Sequence, residues 1–330
     1  MDVLIITRTD DNDCIGMVSE ELRRRGARPI RLDTDRYPQD VRISTRVGGD
    51  PRVRRMVTSS DSFDLGSLGA VWYRRFFAGG RLPAALGDTR PACVEESRRT
   101  LYGTIAASGC FEMDPLVAVR KTDHKELQLK RAHELGLEVP RTLFTNDVVE
   151  ARAFHAELGG NVITKMQSSF AIYRDGRELV VFTTPVKAED LQDAEGLRYC
   201  PMTFQELLPK RLELRATVVG RRVLTASIDS QKSEKTQVDW RRDGMGLLND
   251  WQPYTLPAHV EAALLRLTAD FGLNYAAADF VVTPEGRHVF LEINAGGEWF
   301  WLQRAPGLPI AASIAEVLLG QAERAVTVVK

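Results

Sequence analysis

The sequence predicts an α/β fold in its N-terminal part, with a mostly parallel sheet, followed by α+β units toward the C-terminus. Three observations carry this. Residues 3–7 are apolar and mostly β-branched, residues 15–25 repeat at helical spacing through Ile15, Val18 and Leu22, and a second apolar run follows at 29–33, which together read as β-α-β. Gly220 and Arg221 separate two apolar runs at 216–219 and 223–227, which reads as a hairpin. A second hairpin is predicted around Pro284-Glu285-Gly286.

Length and composition bound the answer. A chain of 330 residues that is 44% hydrophobic can bury two or three cores. Its 44 Lys and Arg nearly balance 45 Asp and Glu, so no global basic field favours nucleic acid. Cys14, Cys93, Cys110 and Cys200 lie far apart, which argues against a disulfide framework or a zinc cage. The opening MDVLIITRTD is too brief for a signal peptide or a membrane span, and a cytoplasmic chain with no membrane partner is expected.

The remaining elements follow in order. Residues 70–73 predict a strand, and 93–107 predict a helix through Val94, Leu101 and Ile105, with the first domain ending near 118. Asp123 and Glu126 fit a capping box, placing Lys121 just before a helix that Gly136 would stop. Val148, Ala151, Phe154 and Leu158 make an amphipathic helix, Gly159-Gly160 breaks it, and 161–165 forms a strand ending in Lys165. The expected units are 1–118, 119–200 and 201–330.

The segment 278–298 carries the sharpest chemistry. Strand alternation puts Phe290, Glu292 and Asn294 on one face and Val289, Leu291 and Ile293 on the other. With Asp279 from the partner strand, Glu292 and Asn294 form an oxygen-rich set suited to Mg²⁺ bridging nucleotide phosphates. Lys121 and Lys165 supply cations for those phosphates. Gln205, Glu206, Leu207 and Leu208 offer an adenine slot, Glu213 can take ribose hydroxyls, and Arg215 shares its face and can hold an acyl phosphate. Arg74, Arg75 and Arg241 are candidates for binding carboxylates. Residues 228–241 read as a lid, with Ser233, Lys235, Asp239 and Arg241 as candidates. Taken singly, each residue is as easily a surface charge. Their order along the chain is what points to a nucleotide. No H-E-x-x-H, G-x-S-x-G or G-x-x-x-x-G-K-[ST] motif is present.

These motifs resemble the ATP-grasp superfamily, with Asp279 and Glu292-Ile293-Asn294 matching its terminal D…E-x-N metal set. Over nearly the whole chain the sequence resembles the peptide maturases that build graspetides, the microviridin-type ribosomal peptides. The stretches that carry the likeness include VLIITRTDDN, AVWYRRF, ITKMQSS, SIDSQKSEKTQVDWR and LEINAGGEW. The resemblance implies an ATP-grasp fold behind a pre-ATP-grasp domain, with ATP and Mg²⁺ as cofactors. It implies phosphorylation of Asp or Glu side chains of a ribosomal precursor peptide, then joining to Thr or Ser as esters or to Lys as amides. It also implies a homodimer and a leader docked along 168–199, where Glu189 and Asp190 are candidates. Many ATP-grasp ligases carry arginine two residues before the first metal aspartate; here Ala277 stands there, so Arg215 or Arg241 must substitute. A ligase adding free amino acids to a protein tail or small acid would share the nucleotide residues, and a non-catalytic peptide-binding module would not need the metal set.

Overall fold

Strand Asp2–Thr7 is flanked in parallel by Arg28–Asp33 and Leu68–Tyr73, and Phe111–Met113 extends the sheet beyond the latter. The computed structural model describes residues 1–11, 13–48, 54–59, 61–167, 171–174, 177–180, 182–234, 236–243 and 246–326, with backbone only at 171–174, 177–180, 241 and 243. The parallel order forms because Val3 to Ile6 are apolar on both faces. Helix Asp13–Arg24 buries Cys14, Ile15, Val18 and Leu22 against one face. Helix Arg90–Ala106 sends Leu101 and Ile105 to the other. A small antiparallel sheet, Arg42–Thr45, Arg54–Val57 and Ser62–Asp64, was not expected from the sequence.

The middle of the chain forms a sheet ordered Thr184–Pro185, Val162–Lys165, Met202–Glu206, Thr142–Thr145, covered by helix Val148–Glu157. Ala171–Arg174 and Arg177–Val180 pair antiparallel as a separate two-stranded sheet. The C-terminal sheet has five strands in the order Gln252–Tyr254, Arg222–Ile228, Leu212–Val219, Tyr275–Val282, His288–Asn294. Both hairpins read from sequence are present, around Gly220 and around Pro284 to Gly286.

Helix Lys125–Glu134 packs on this C-terminal sheet together with Ala258–Asp270, so residues just past 119 join the C-terminal core rather than the central sheet. Gln128 holds the joint: its amide donates to Ile293 O at 2.9 Å and accepts from Ile293 N at 2.9 Å. The expected capping box is absent. His124 occupies the N-cap with no side-chain bond, and Lys121 ends a preceding short helix, Leu116–Lys121. The physical reason is that 116–121 is already helical, so 122–124 serve as the turn between two helices. Gly136 does stop the second helix at φ +90, with Leu137 N donating to Ala132 O, a left-handed ending a side chain would strain.

The strand faces differ from simple alternation. Register shifts between Asp279 and Phe280, so that Asp279 pairs with Glu292 but Phe280 pairs with Phe290. The extra residue, Leu291, forms a bulge and changes the phase of the strand. Phe290 therefore joins Ile293 in the helix-covered core, edge-on to Phe280 at 5.5 Å, while Val289 and Leu291 turn the other way, toward Leu208. Asp279, Glu292 and Asn294 still share one face, because the bulge lies before Glu292.

Candidate active site

Three antiparallel strands put the chemistry on one face. Arg215 is paired across the ladder with Asp279, Asp279 with Glu292, and Ala277 with Asn294. Arg215 Nη1 lies 2.7 and 2.8 Å from the two Asp279 oxygens, and Asn294 Nδ2 donates to Glu292 Oε1 at 2.9 Å. Among the described residues no three His, Cys, Asp or Glu form a metal cage; the set is two carboxylates and an amide. That donor count suits a hard cation that keeps waters and takes further oxygens from phosphates.

A lysine already rests on this set. Lys125 Nζ is 2.8 Å from Glu292 Oε2 and 3.1 Å from Asn294 Oδ1, so an ammonium stands where a metal would bind. Burial pushes the Glu292 carboxyl up, but the charges of Lys125 and Lys165 outweigh it and hold the group well below the ordinary carboxylate range. Lys165, at the end of its strand in the central sheet, is therefore brought to the same place. Sequence reading missed Lys125. It opens the helix whose Gln128, one turn on, ties to Ile293 between the metal candidates, a tertiary contact that no local pattern announces. Lys121 is elsewhere, donating to Asp270 O at 2.9 Å and lying 4.9 Å from the Phe271 ring centroid.

The expected nucleotide slot is adjacent. Leu208 packs with Val281, Val289 and Leu291 as an apolar wall. Gln205 is buried and donates to Thr142 Oγ1, Glu206 accepts from Arg141 N at 3.3 Å, and Leu207 N donates to Asn161 O. These bonds fix the turn out of the strand. Glu213 is buried beside Lys210 at 3.1 Å, and burial pushes its carboxyl up against the pull of Lys210. Lys210, which sequence reading also passed over, donates to Val238 O at 2.8 Å and so ties the segment 229–240 to the site.

That segment is closed on itself. Thr236 is buried, its hydroxyl donating to Ser230 O at 2.7 Å; Ser233 is half-buried and Asp239 is buried near Glu213. Lys235 and the Arg241 side chain lie outside the described residues, the latter within the short turn Trp240–Asp243. Trp240 packs edge-on to Trp251 at 5.3 Å and lies 5.7 Å from Trp301, whose ring is 5.9 Å from the Arg215 guanidinium.

The two N-terminal arginines divide. Arg74, with a side chain 1% exposed, donates to Gly296 O and Gly297 O at 3.1 Å and to Glu298 at 2.8 Å, locking the N-terminal sheet to the loop after Asn294. Arg75, 34% exposed, also pairs with Glu298 and lines a cavity of about 180 Å³ with Arg8, Asp11, Asp13 and Phe300. Cys14 donates to Glu298 Oε2, and burial pushes its thiol up to about 12, so it is held protonated. Gly297 is required by close approach: a Cβ would sit 2.5 Å from Ala277 Cβ and 2.9 Å from Arg215 Nη2. Ala277 is fully buried in the same close approach. Glu189 and Asp190 are exposed on a short 3₁₀ turn, Glu189–Leu191, where Asp190 accepts from Lys187 N. No helix among the described residues is long and apolar enough to cross a membrane.

Residues 2–120 match the family model described as the MvdD pre-ATP grasp domain. The macrocyclase MdnC of Microcystis aeruginosa MRC, solved with its precursor peptide MdnA, is 42% identical over 97% of this chain and 100% of that one, with a TM-score of 0.87. A RiPP-associated ATP-grasp ligase of Chryseobacterium gregarium, solved with ADP and a leader and core peptide, is 38% identical over 100% of this chain and 99% of that one, at TM-score 0.92. The macrocyclase MdnB of the same Microcystis is 35% identical over 96% and 99%, at 0.79. No curated protein matches. With this identity across the full length, and with a shared face carrying Asp279, Glu292 and Asn294, the chain belongs to the ATP-grasp ligases associated with RiPP precursor peptides.

Proposed function

We propose that the protein is an ATP-dependent peptide macrocyclase. It phosphorylates Asp or Glu side chains of a ribosomal precursor peptide and joins them to Thr or Ser hydroxyls as esters, or to Lys as amides. The observation that carries this reading is the lysine-bridged oxygen set, Lys125 on Glu292 and Asn294 with Arg215 on Asp279, in a chain so similar to two peptide-bound ligases.

The reaction asks for little beyond positioning and charge. A substrate carboxylate attacks the γ-phosphorus of ATP, ADP leaves, and a peptide hydroxyl or amine then attacks the acyl carbon and expels phosphate, losing its proton. Asp279, Glu292 and Asn294 would hold Mg²⁺, which neutralises phosphate charge when bound. Lys125 and Lys165 would then turn from Glu292 to the phosphates, Glu213 would take ribose hydroxyls, and Gln205 to Leu208 would border the base. Arg215, in place of the arginine absent at Ala277, would face the acyl phosphate, while Asp239, Ser233, Lys235 and Arg241 belong to the segment that excludes water. Arg75 would receive the acidic side chain and Arg74 would hold the loop beneath it. The leader would dock along 168–199, with Glu189 and Asp190 at its edge, in a homodimer that light scattering can count.

The test is mass spectrometry of a candidate acidic, Thr-rich peptide, sought among the genes beside this one, after incubation with ATP and Mg²⁺. Sequential losses of one water with matching ADP release support cyclisation. Unchanged mass with peptide-independent ATP turnover would instead favour a ligase for free amino acids.

A further inference from the structure

Glu213 stands near the start of strand Leu212–Val219 and is buried, yet its charge partner comes from just outside the strand. Lys210 lies on the connection that leaves the apolar wall at Leu208, and the next residue anchors that connection, Arg211 N donating to Val282 O at 2.8 Å. The ammonium is thereby delivered to one place. It donates to Glu213 Oε1 at 3.1 Å and to Val238 O at 2.8 Å. The two side chains are only 10% and 12% exposed, so the pair is no solvated surface bridge.

Three residues that follow the neighbouring strand close around the same carboxylate. The Ser230 hydroxyl bonds to Glu213, while Ser230 O receives the buried Thr236 hydroxyl at 2.7 Å. Val238 is held by Lys210, and Asp239 is buried close enough for its charge to oppose that of Glu213. Burial pushes the Glu213 carboxyl up, Lys210 and the Ser230 bond pull it down, and Asp239 adds to the rise. One ammonium thus stands beside two buried carboxylates. Without it, a proton would have to supply the missing positive charge, and a protonated carboxyl loses acceptor capacity.

An ionised carboxylate accepts with both oxygens, which suits the two adjacent hydroxyls of a ribose. Lys125 and Lys165 act on Glu292, whereas Lys210 is spent on Glu213 and Val238, so its effect on a nucleotide runs through Glu213. We propose that Lys210 is a positioning residue for the nucleotide: its contacts to Glu213 and Val238 aim the Glu213 carboxylate at the ribose hydroxyls and keep Ser230 and Asp239 packed beside it. Discrimination between a ribonucleotide and a sugar without hydroxyls therefore depends on Lys210. This rests on the reading of Glu213 as the ribose acceptor.

The experiment is calorimetric titration of the full-length protein with ADP and with its dideoxyribose analogue, each with Mg²⁺. Wild type should bind ADP about tenfold more tightly than the analogue, the worth of hydrogen bonds to a charged acceptor. Lys210→Met should bind ADP only as well as wild type binds the analogue, with affinity for the analogue unchanged. Lys210→Arg, which keeps the cation, should restore most of the preference. Raising the pH should return the preference to Lys210→Met, as Glu213 ionises without its partner. Equal weakening of both nucleotides in Lys210→Met would place the lysine on phosphate or in folding alone and overturn the proposal. A preference that stays lost at every pH would do the same. Equal binding of both nucleotides by wild type would remove the ribose role from Glu213, and with it this proposal, while macrocyclisation, read by peptide mass, would stand. A wild type that binds neither nucleotide would sink the proposal and the ATP-dependent reading together.

Discussion

Lys125 and Glu292 form an ion pair at 2.8 Å in the place where a divalent cation would sit. The ammonium leaves that carboxylate only for something that binds it better, so metal entry and lysine release are coupled. Lys125→Met should lower the ATP-dependent rate by about 100-fold, the usual cost of one preorganised cation. Lys121→Met should cost far less, since its ammonium is used by Asp270. Initial rates of ADP release at varied ATP decide between them. Equal losses in the two variants would contradict the assignment.

The sequence made the two hairpins, the parallel start and the shared face of Asp279, Glu292 and Asn294 legible, because each depends on local pattern: period-two apolar runs, a Pro-Glu-Gly turn, two polar residues two apart. Lys125 was hidden because its role arises from tertiary packing of one helix on a distant sheet. The face of Phe290 was misread because a bulge at Leu291 has no signature in alternation. Arg74 and Arg75 look alike in sequence and differ only in what the loop at 296–298 offers them.

That difference is testable. Arg74→Ala leaves buried Asp11 without its cation and Glu298 with Arg75 alone, and should destabilise the fold by about 3–5 kcal/mol. Arg75→Ala should keep the melting temperature within a few degrees and raise KM for the peptide. Thermal melts alongside peptide kinetics separate the two, and a stable Arg74→Ala with normal folding would contradict the locking role.

Gly297→Ala should act on chemistry through geometry. Its Cβ would press on Ala277 and on Arg215 Nη2, so Arg215 must move from Asp279. Overpacking of this kind costs about 1–3 kcal/mol, and kcat should fall more than KM rises. Unchanged kcat would show that Arg215 has no role in the reaction.

Asp114 ties the N-terminal sheet to the C-terminal one, accepting from Asn274 N at 2.7 Å and Tyr275 N at 2.8 Å. Burial pushes its carboxyl from 3.8 up to about 7 despite those donors. A raised carboxyl favours the folded state when protonated, so its contribution is full below 3.8 and is lost as pH rises through about 7. The Asp114→Asn variant should therefore gain melting temperature relative to wild type as pH rises from 3.8 to about 7, with no further gain above it. Parallel pH profiles for the two proteins would contradict this.

Whether Asp279, Glu292 and Asn294 serve nucleotide-driven joining of an acidic peptide is read from peptide mass after reaction with ATP and Mg²⁺, comparing wild type with E292A/N294A at matched folding. Water losses with wild type and none with the variant are expected; water losses that persist in the variant would contradict the account.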